Sequence, residues 1–487
     1  MLIFKYIQRF FYTFVYEKYK KQRLFLLLKC KSTVEKMSIK LGDLKSWGKA
    51  WPDPSMCRFP DEGIDIYDSI HGYVKMEREE VFLLDLPPVQ RLRCIHQLGL
   101  ANLVYPGANH TRLEHSIGVF CLVKKIIQTF KQKPIPEIKI DDDTSLAVAF
   151  AALLHDIGHF PFSHTTERLV SENFEGKNHE ALGSEIVNTP YMKSAFDRIN
   201  DESDTDIDIK AVSDFIVGKA KGDELYLANL IKGLIDADRM DYLVRDAHHT
   251  GVPFGRVDLE RLVKTLTPFR DRDNWILAVE EKGRSAVESL IVGRSLMHNS
   301  VYYHHTKRIS EAMLGRATYS TFDEQDPLLN LLLLDDDLLF ARLLSSNGYS
   351  KSVARRLLCR DLFTRVLTLR VSDIGNRLAL SDFTDSTKVP LREKIKHEQA
   401  LCQELGIDDG QVILDFPEIP KTKEIDFPVV SDKNRIKPLS ELSLIAVAAE
   451  GQRRKDWTAY VFCSQKDPKT EKKIKSYLNE KVGLGLG

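Results

Sequence analysis

The sequence of 487 residues predicts a mostly helical protein with a smaller α+β lobe at its C-terminal end. Between Ile64 and about Ser320, apolar residues recur at three- and four-residue spacing and strict two-residue alternation is scarce, so we predict that this segment is all-helical. Short strand-like runs begin only near residue 400. These patterns divide the chain into a basic tail (1–45), a helical core (46–320), a helical extension (321–400) and an α+β lobe (401–487).

The predicted helices follow in chain order. Residues 46–63 are rich in Trp, Pro and Gly and predict a loop, and VFLLDLPPVQRLRC turns at Pro87 and Pro88 before a helix opens. TRLEHSIGVFCLVKKIIQTF is amphipathic. DDDTSLAVAFAALLHDIGH begins with capping residues and is then apolar on all sides, which is typical of a buried helix. LLNLLLLDDDLLFARLLSSNG restarts a helix at the aspartates 335–337, and we expect its leucines to pack in a core.

The α+β lobe is predicted from short apolar runs near the C-terminus. GQVILDFPEIP, IDFPVV, LSLIAVAAE and WTAYVFC predict strands. DPKTEKKIKSYLNEKV predicts a closing helix whose lysines form a solvated face.

Composition and charge exclude several classes of protein. Lysine plus arginine number 70, as do aspartate plus glutamate, so global charge gives no indication of nucleic-acid binding. The seven cysteines are dispersed without a C-x-x-C pair, which argues against a disulfide scaffold or a thiolate zinc site and favours the cytosol or nucleus.

The first 36 residues contain nine Lys/Arg and only Glu17 and Glu35 as acids. The runs FFYTFVY and LFLLL are too short to cross a bilayer, so no transmembrane segment is expected. Three interpretations stay open: a basic amphipathic membrane contact, a transit peptide, or a start assigned upstream of the native Met37.

Titratable side chains are concentrated in apolar segments. LLHDIGHFPFSHTTE, residues 153–167, contains three histidines and two carboxylates. HTRLEHSIG precedes it, and IDADRMDYLVRDAHHTG follows with aspartates at 236, 238, 241 and 246. Taken alone, His155 and Asp156 are the capped end of a helix. A buried carboxylate is nevertheless costly unless it is paired or binds a metal.

One His, an adjacent His-Asp pair and a distant Asp supply four nitrogen and oxygen ligands. This set suits Mg, Mn, Fe or Zn with positions left for water and substrate. Arg112, Arg239, Arg245 and Arg294 are candidate partners for substrate phosphates. The residues alone therefore indicate a metal-dependent hydrolase of phosphate esters.

A longer set of motifs runs from about residue 64 to 320, and more faintly through the C-terminal lobe. DSIHGYV, QRLRCIHQLG, YPGANHTRLEHSIGV, LLHDIGHFPFSH, IDADRMDYLVRDAHHTG and RSLMHNSVYYHHTKR together resemble the HD-domain deoxynucleoside triphosphate (dNTP) triphosphohydrolases. Within this family, the motifs resemble those of the SAM-and-HD-domain enzymes and their prokaryotic cousins, although we expect no sterile-alpha-motif domain here. The resemblance implies a helical HD core and hydrolysis of a dNTP at the α-phosphorus to deoxynucleoside and inorganic triphosphate.

The resemblance also assigns roles to residues. The implied metal ligands are His115, His155, Asp156 and Asp238, and the catalytic set beside them is His164, Glu167 and His179. His164 would protonate the departing 5′ oxygen or orient the water. Family members often have aspartate where Glu167 stands, which makes its contact with histidine an open point.

The implied substrate contacts fall into two groups. His159, Arg112, Arg239 and Arg294 would face the triphosphate, with Arg239 in place of a family lysine. The deoxyribose would be held by Gln97, Leu98, Tyr242, Asp246 and Tyr302. A tyrosine against C2′ would exclude ribonucleotides, and Asp246 would accept a hydrogen bond from the 3′-OH.

Regulation by a guanine nucleotide is a further implication. In the SAM-and-HD-domain enzymes such a nucleotide binds between subunits and assembles a tetramer. The matching residues are Asp85, Gln90 and Arg93, whereas Ile64 and Tyr67 replace a family lysine and asparagine. We expect a homo-oligomer, dimer or tetramer, with GTP or dGTP as a possible activator.

Two alternative functions stay open. One is an HD phosphohydrolase acting on another nucleotide or phosphate ester, such as a monophosphate or a cyclic dinucleotide. The other is a nucleotide-sensing or nucleic-acid-binding protein, for which basic stretches such as QRRKD would provide contacts. Metal content and the salt dependence of binding to single-stranded nucleic acid would discriminate between them.

Overall fold

The computed structural model describes residues 44–171, 177–220, 222–322, 328–385, 388–417, 419, 424–431, 435–465 and 468–486. The predictions for residues 1–36 lie outside these ranges. Across the described ranges, no helix is both long enough and apolar enough to cross a membrane. The structure confirms a mostly helical protein with small sheets.

Helices make up most of the described chain. In chain order they are α1 (Arg78–Asp85), α2 (Pro87–Gln90), α3 (Arg112–Gln132), α4 (Asp142–Leu154), α5 (His164–Ser171), α6 (His179–Val187), α7 (Pro190–Ser203), α8 (Ile209–Ile216), α9 (Leu225–Ile231), α10 (Ala237–Thr250), α11 (Leu259–Thr265), α12 (Arg284–Met297), α13 (His305–Tyr319), α14 (Asp336–Ser345), α15 (Gly348–Leu358), α16 (Arg377–Thr384), α17 (Leu391–Leu405), α18 (Leu439–Leu442), α19 (Leu444–Lys455) and α20 (Pro468–Tyr477). Tighter 3-10 turns include Leu44–Ala50, Pro54–Met56, Arg91–Cys94 and Leu328–Leu333, and π-turns occur at His298–Tyr302 and Leu478–Val482.

Within the described ranges, nine strands form three small sheets. They are β1 (Ile64–Asp68), β2 (Gly72–Met76), β3 (Leu266–Asp271), β4 (Asn274–Glu280), β5 (Thr364–Arg370), β6 (Val412–Asp415), β7 (Pro428–Val430), β8 (Ile436–Pro438) and β9 (Thr458–Cys463). Strands β1 and β2 form a hairpin. The second sheet has the order β3-β4-β7-β8, in which β4 and β7 are parallel, and the third has the order β5-β9-β6.

Two helices at the centre of the fold follow the predicted patterns closely. α3 begins after Thr111, whose hydroxyl accepts a hydrogen bond from Glu114 N while the Glu114 carboxylate accepts one from Thr111 N. α4 begins after Asp141, whose carboxylate accepts from Thr144 N, and it is buried from Ala147 onwards. Because α3 and α4 pack side by side, the residues at their ends meet in the interior.

The buried residues form two apolar clusters. The larger runs from Trp47 to Phe363 and also takes in Val429 and Ala446 from the C-terminal part of the chain. The smaller gathers residues between Val366 and Leu484 around the β5-β9-β6 sheet. The smaller α+β lobe therefore surrounds this second cluster.

Several element predictions were wrong. The segment from 64 to 320 is not all-helical, because it contains the β1–β2 and β3–β4 hairpins. The predicted helical extension contains β5, which pairs with β9. The strand predicted in IDFPVV forms as β7, but it pairs with β4 of the helical segment. The domain boundaries at 320 and 400 stay predictions.

The run LSLIAVAAE was predicted as a strand and is the helix α19. The Ser443 hydroxyl caps this helix by accepting a hydrogen bond from Ala446 N at 3.1 Å. Ala446 is buried, whereas Leu444 and Ile445 are 86% and 61% exposed. A continuous apolar run does not distinguish a strand from a helix, so its helical packing on α12 decided the outcome.

Candidate active site

The four predicted metal ligands converge from three separate segments. His115 lies on α3, His155 and Asp156 directly follow α4, and Asp238 lies in the first turn of α10. His115 Nε2 is 2.9 Å from Asp238 Oδ1 and 3.3 Å from His155 Nε2. It is also 3.9 Å from Asp156 Oδ2. His115, His155 and Asp156 offer ligand atoms that all lie within 4.8 Å of one another and could hold one metal ion, and Asp238 lies beside them in contact with His115.

The hydrogen bonds of the two histidines fit a metal at that point. His155 Nδ1 lies 2.8 Å from the carbonyl oxygen of Ala152, and His115 Nδ1 lies 2.7 Å from Asp241 Oδ2. Since both partners accept, each Nδ1 carries a hydrogen, and each Nε2 faces the centre, where a metal would replace any proton on it. Burial lowers the pKa of His115, but Asp238 and Asp241 raise it to about 10 overall. The centre therefore favours positive charge, which a divalent cation supplies.

Asp241 is the hub that orients His115. Besides His115 Nδ1, its carboxylate accepts hydrogen bonds from Arg245 Nε at 2.8 Å and Arg245 Nη2 at 3.0 Å, and it lies 2.6 Å from His71 Nε2. Arg245 Nη1 also donates to Asp68 Oδ2 at 2.8 Å. Burial opposes ionisation, but Arg245 and these hydrogen bonds hold the pKa of Asp241 well below its usual range.

Arg245 was a candidate partner for phosphate, and the structure places it elsewhere. Its side chain has no exposed area and is fully engaged by Asp241 and Asp68. Sequence reasoning missed Asp68 and His71 as parts of the site, although both belong to the motif DSIHGYV. The spacing of Asp68 and His71 at a hairpin turn gives no local indication of a contact 170 residues away.

Arg112 contacts a ligand of the candidate metal directly. Its Nη1 donates to Asp156 Oδ2 at 2.8 Å and its Nε donates to Ser163 Oγ at 2.9 Å. Asp156 Oδ1 also lies 3.2 Å from His159 Nε2. Burial alone would raise the pKa of Asp156, but the charge of Arg112 holds this pKa well below its usual value. Asp156 is therefore an ionised carboxylate in a buried setting.

His164, Glu167 and His179 form a second cluster beside the first. Glu167 Oε2 lies 2.6 Å from His164 Nδ1, and Glu167 Oε1 lies 2.6 Å from His179 Nδ1. The glutamate side chain thus reaches both rings despite its extra length. Burial lowers the pKa of His179, but the Glu167 carboxylate outweighs burial, so the pKa is raised overall. His159 stacks on His179 with ring centroids 3.8 Å apart.

A cavity of about 650 Å³ opens in front of both clusters. All nine predicted substrate residues line it, together with Asp156, Asp238, His164 and His179. His115, His155 and Glu167 lie behind the lining. Its far wall, which the sequence did not predict, comes from later parts of the chain and includes Tyr303, Lys307, Arg308, Glu311, Arg316, Leu391, Lys394, Ile413, Asp415 and Pro417.

Ion pairs fasten this far wall. Arg308 Nε donates to Asp415 Oδ2 at 2.9 Å, which ties α13 to β6. Arg316 Nε donates to Glu398 Oε2 at 2.7 Å, which ties α13 to α17. Burial lowers the pKa of both arginines. Asp415 raises the pKa of Arg308 and Glu398 raises the pKa of Arg316 by larger amounts, so both guanidinium groups stay charged.

The predicted sugar-binding residues meet on one side of the cavity. Asp246 Oδ1 lies 2.8 Å from His110 Nε2, and Asp246 Oδ2 accepts a hydrogen bond from the Tyr302 hydroxyl at 2.8 Å. The rings of Tyr242 and Tyr302 pack edge to face, 6.2 Å apart. Gln97 Oε1 is buried without a hydrogen-bond partner among the described residues. A ligand hydroxyl in the cavity could satisfy that oxygen.

The candidate phosphate contacts flank the metal cluster. Arg239 Nη1 donates to the carbonyl oxygen of Gly233 at 2.8 Å and pairs with Asp236. Arg294 lines the same cavity from α12. Burial lowers the pKa of Arg239, but Asp236 raises it by a larger amount. The Arg239 guanidinium therefore keeps its charge beside Asp238. Two guanidinium groups therefore accompany the candidate metal centre.

Comparison with known proteins shows the family to which the chain belongs. An HD-domain family model matches residues 112–246, and a model of the HD associated region matches residues 257–483. A relative from Methanocaldococcus jannaschii, described as an uncharacterized protein, is 32% identical over 420 residues, which cover 85% of this chain and 83% of the relative. The chain belongs to the HD-domain family. Another uncharacterized protein, from Bacillus subtilis, is 29% identical over 449 residues, covering 84% of this chain and 96% of its own length.

HD-domain proteins with a described activity are also similar over about half of the chain. The deoxynucleoside triphosphate triphosphohydrolase of Homo sapiens is 28% identical over 285 residues, 52% of this chain and 44% of that enzyme. The homologous protein of Dictyostelium discoideum is 32% identical over 272 residues, 55% of this chain and 50% of that protein. The HD-domain match contains both histidine clusters, whereas Arg294, Tyr302 and the far wall lie in the associated region.

The predicted nucleotide-regulation residues lie apart from the HD-domain cavity. Arg93 Nε donates to Gln90 Oε1 at 3.0 Å, and Arg93 opposes the rise that burial causes in the pKa of Asp85. Asp85 and Arg93 are exposed. The structure therefore brings these three residues together at the surface, and none of them lines the described cavity.

Proposed function

We propose that this HD-domain protein is a metal-dependent hydrolase that converts a dNTP to a deoxynucleoside and inorganic triphosphate. The observation that carries the proposal is a cavity lined by Asp156, Asp238, His164, Arg239 and Arg294, with His115 in contact with Asp238 behind the lining. The named activity of the human and Dictyostelium relatives supports the choice of substrate. His115, His155, Asp156 and Asp238 would hold the divalent metal, whose identity is left open among Fe, Mn, Mg and Zn.

The phosphate end of the substrate would lie beside the metal ligands. A divalent metal held there would act as a Lewis acid and offset phosphate charge. Arg239 and Arg294 would bind non-bridging phosphate oxygens through charge-assisted hydrogen bonds. Neutral His159, whose pKa burial and Arg112 hold well below the usual value, would face the triphosphate as a hydrogen-bonding group and add no charge.

The bond that breaks lies between the α-phosphorus and the 5′ oxygen. A water molecule bonds to the α-phosphorus and releases a proton to solvent, and the bond from phosphorus to the 5′ oxygen breaks. His164 donates a proton to that oxygen through Nε2, because Glu167 engages its Nδ1. The products are a deoxynucleoside and triphosphate. Glu167 and His179 would position His164 and balance its charge. His164 is 67% exposed at the side chain, so it can exchange protons with solvent between turnovers.

The sugar would lie against Tyr242 and Tyr302. Tyr302 is held by Asp246, and burial raises the pKa of the Tyr302 hydroxyl well above its usual value, so this group stays neutral. A ring packed against C2′ leaves no room for a 2′-OH, and Gln97 and Asp246 would bind the 3′-OH. We therefore propose selectivity for deoxyribonucleotides. Equal rates on dGTP and GTP would contradict this arrangement.

The test of the function is a product analysis. Each dNTP and NTP is incubated with the protein and Mn²⁺ or Mg²⁺, and the products are separated by chromatography. We expect nucleoside and tripolyphosphate in equal amounts, and His164→Ala should slow the reaction while the metal content stays unchanged. Orthophosphate or pyrophosphate as the first product would place the scissile bond elsewhere, and activity only on monophosphates or cyclic dinucleotides would favour the alternative phosphohydrolase.

We also propose that the chain forms a homo-oligomer through α19. Leu444, Ile445 and Val447 form an apolar surface on this helix, with exposures of 86%, 61% and 38%. Exposed Glu441 on the preceding helix α18 and exposed Arg454 near the end of α19 offer opposite charges to a second copy. Light scattering on the wild type and on Leu444→Glu tests the proposal, and a monomeric wild type would contradict it.

Activation by GTP or dGTP is proposed for the surface cluster of Asp85, Gln90 and Arg93. An arginine and an acid together can pair with the acceptor and donor edges of guanine. The rate on dTTP, measured with and without GTP or dGTP, should rise in the wild type and not in Arg93→Ala. A fully active protein that is indifferent to both nucleotides would remove this part of the proposal.

A further inference from the structure

The turn that presents His164 has a rare backbone conformation. Phe162 and Ser163 have φ angles of 56° and 57°, in the left-handed region that residues other than glycine seldom adopt. Both residues are buried. Together they reverse the chain between the metal ligands after α4 and the first residue of α5. Two such residues in succession persist only where the surrounding structure holds them.

Asp336, the first residue of α14, binds this turn. Its Oδ1 accepts a hydrogen bond from Phe162 N at 2.5 Å. Its Oδ2 accepts from His96 N at 2.9 Å and lies 2.7 Å from His96 Nδ1. The carboxylate is buried, so the backbone N–H of Phe162 has no water to replace it as a partner.

Helix capping does not account for Asp336. The neighbouring Asp335 is the cap of α14, because its Oδ1 accepts from Leu338 N at 2.8 Å. Asp337 is exposed. Asp336 therefore forms hydrogen bonds with residues that are distant in the sequence, which helix capping does not require.

Arg91 fastens the same two segments at a second point. Its Nη2 donates to the carbonyl oxygen of His159 at 2.7 Å, and its Nε donates to that of Leu334 at 2.8 Å. The side chain is buried and spans from the start of the His159–Ser163 turn to the residues just before α14. Both ends of the turn are therefore bound to the start of α14.

The turn is also linked to the metal ligands. Ser163 Oγ donates to the carbonyl oxygen of His96 at 2.8 Å and accepts from Arg112 Nε at 2.9 Å. Arg112 in turn donates to Asp156. A displacement of the turn would therefore move His164, because His164 follows the turn directly and its side chain is mostly exposed.

We infer that Asp336 is a positioning residue that fixes the Phe162–Ser163 turn and, through it, the place of His164 in the cavity. The catalytic consequence of this inference rests on the proposed function, whereas the structural part does not. Without the carboxylate, the Phe162 N–H loses its acceptor and the left-handed pair is free to relax. A misplacement of about 1 Å at a reacting group can lower the rate about 100-fold.

Asp336→Asn is the main test variant, because it keeps the shape but has a single acceptor oxygen for the two backbone N–H groups. Asp337→Asn, one residue along the same helix, is the matched control. We expect Asp336→Asn to lower kcat on a dNTP about 10- to 100-fold with KM and metal content unchanged. Hydrogen–deuterium exchange, followed by mass spectrometry on peptides that span 159–165, should become faster in Asp336→Asn and not in the control.

A second variant guards against misfolding. Arg91→Lys keeps the charge but can reach only one of the two carbonyl groups, so it should loosen the turn to a smaller extent. Unchanged exchange at residues 159–165 in a folded Asp336→Asn would overturn the inference, as would faster exchange with unchanged kcat. If the wild type hydrolyses no dNTP, the proposed function fails, and the exchange measurement alone then decides whether Asp336 holds the turn.

Discussion

Replacing Asp241 by asparagine separates the orientation of a metal ligand from the ligand itself. Asp241 touches no substrate, but its carboxylate binds His115 Nδ1, His71 and Arg245 in the interior. The amide of asparagine keeps the shape, removes the charge and offers one acceptor where the carboxylate offered two. His115 then loses the partner that fixes its tautomer and ring orientation.

The expected magnitude has two parts. Partners that orient a metal-bound histidine contribute roughly 10- to 100-fold to metal affinity, or about 1.4 to 2.8 kcal/mol. Removing one member of a buried ion pair costs about 3 to 5 kcal/mol in stability. Arg245 retains Asp68 at 2.8 Å and can still donate to the amide oxygen, so we expect the lower end, about 3 kcal/mol.

Two measurements check these values. Mn²⁺ affinity is obtained by titration against a competing chelator, and the free energy of unfolding is obtained by urea denaturation of the metal-free protein. Asp65→Asn, an exposed carboxylate on β1, is the charge-matched control and should change neither quantity. A folded Asp241→Asn protein with wild-type metal affinity would refute the role assigned to the hub.

Three further outcomes are expected. Replacing both His155 and Asp156 by alanine should abolish bound metal and turnover together, and full metal occupancy in the folded double variant, measured by elemental analysis, would contradict the ligand assignment. Glu167→Gln should lower kcat about 10- to 100-fold without loss of metal, because it neutralises the partner of His164 and His179; an unchanged kcat would exclude that positioning role. Gly118→Ala should destabilise the protein by about 1 to 3 kcal/mol in thermal unfolding, since a Cβ there would clash with the Asp241 carboxylate, and an unchanged Tm would show that α3 and α10 can separate.

Local patterns predicted the helices that carry the site. The capping residues Thr111 and Asp141 and the apolar periodicity of the following segments are properties of neighbouring residues, and α3 and α4 form as expected. The run around Leu444 was assigned to a strand because continuous apolar character fits both structures, and only its packing on α12 selected the helix. The β1–β2 hairpin was missed because its outer face carries Tyr67 and Tyr73, which are 71% and 75% exposed.

The candidate ligands could be predicted because their residue types and order form a pattern along the chain. The residues that hold them could not. Asp68 and His71 reach Arg245 and Asp241 over more than 160 residues, and Asp336 reaches His96 over 240. Local rules explained the aspartates at 335–337 as helix-opening residues, which is sufficient for Asp335 alone. Contacts of this kind depend on how helices pack, which the spacing of residues in one segment does not encode.

The far wall of the cavity and the histidine clusters come from two different parts of the chain. The histidine clusters belong to residues 112–246, whereas Leu391, Lys394, Ile413 and Asp415 close the cavity from the HD associated region. Substitutions in the wall can therefore change which ligand fits without altering any candidate metal ligand. With this arrangement, ligand selectivity can change among related hydrolases through the wall residues, while the histidine clusters stay the same. It also means that a fragment ending before residue 391 would lack part of its own binding surface.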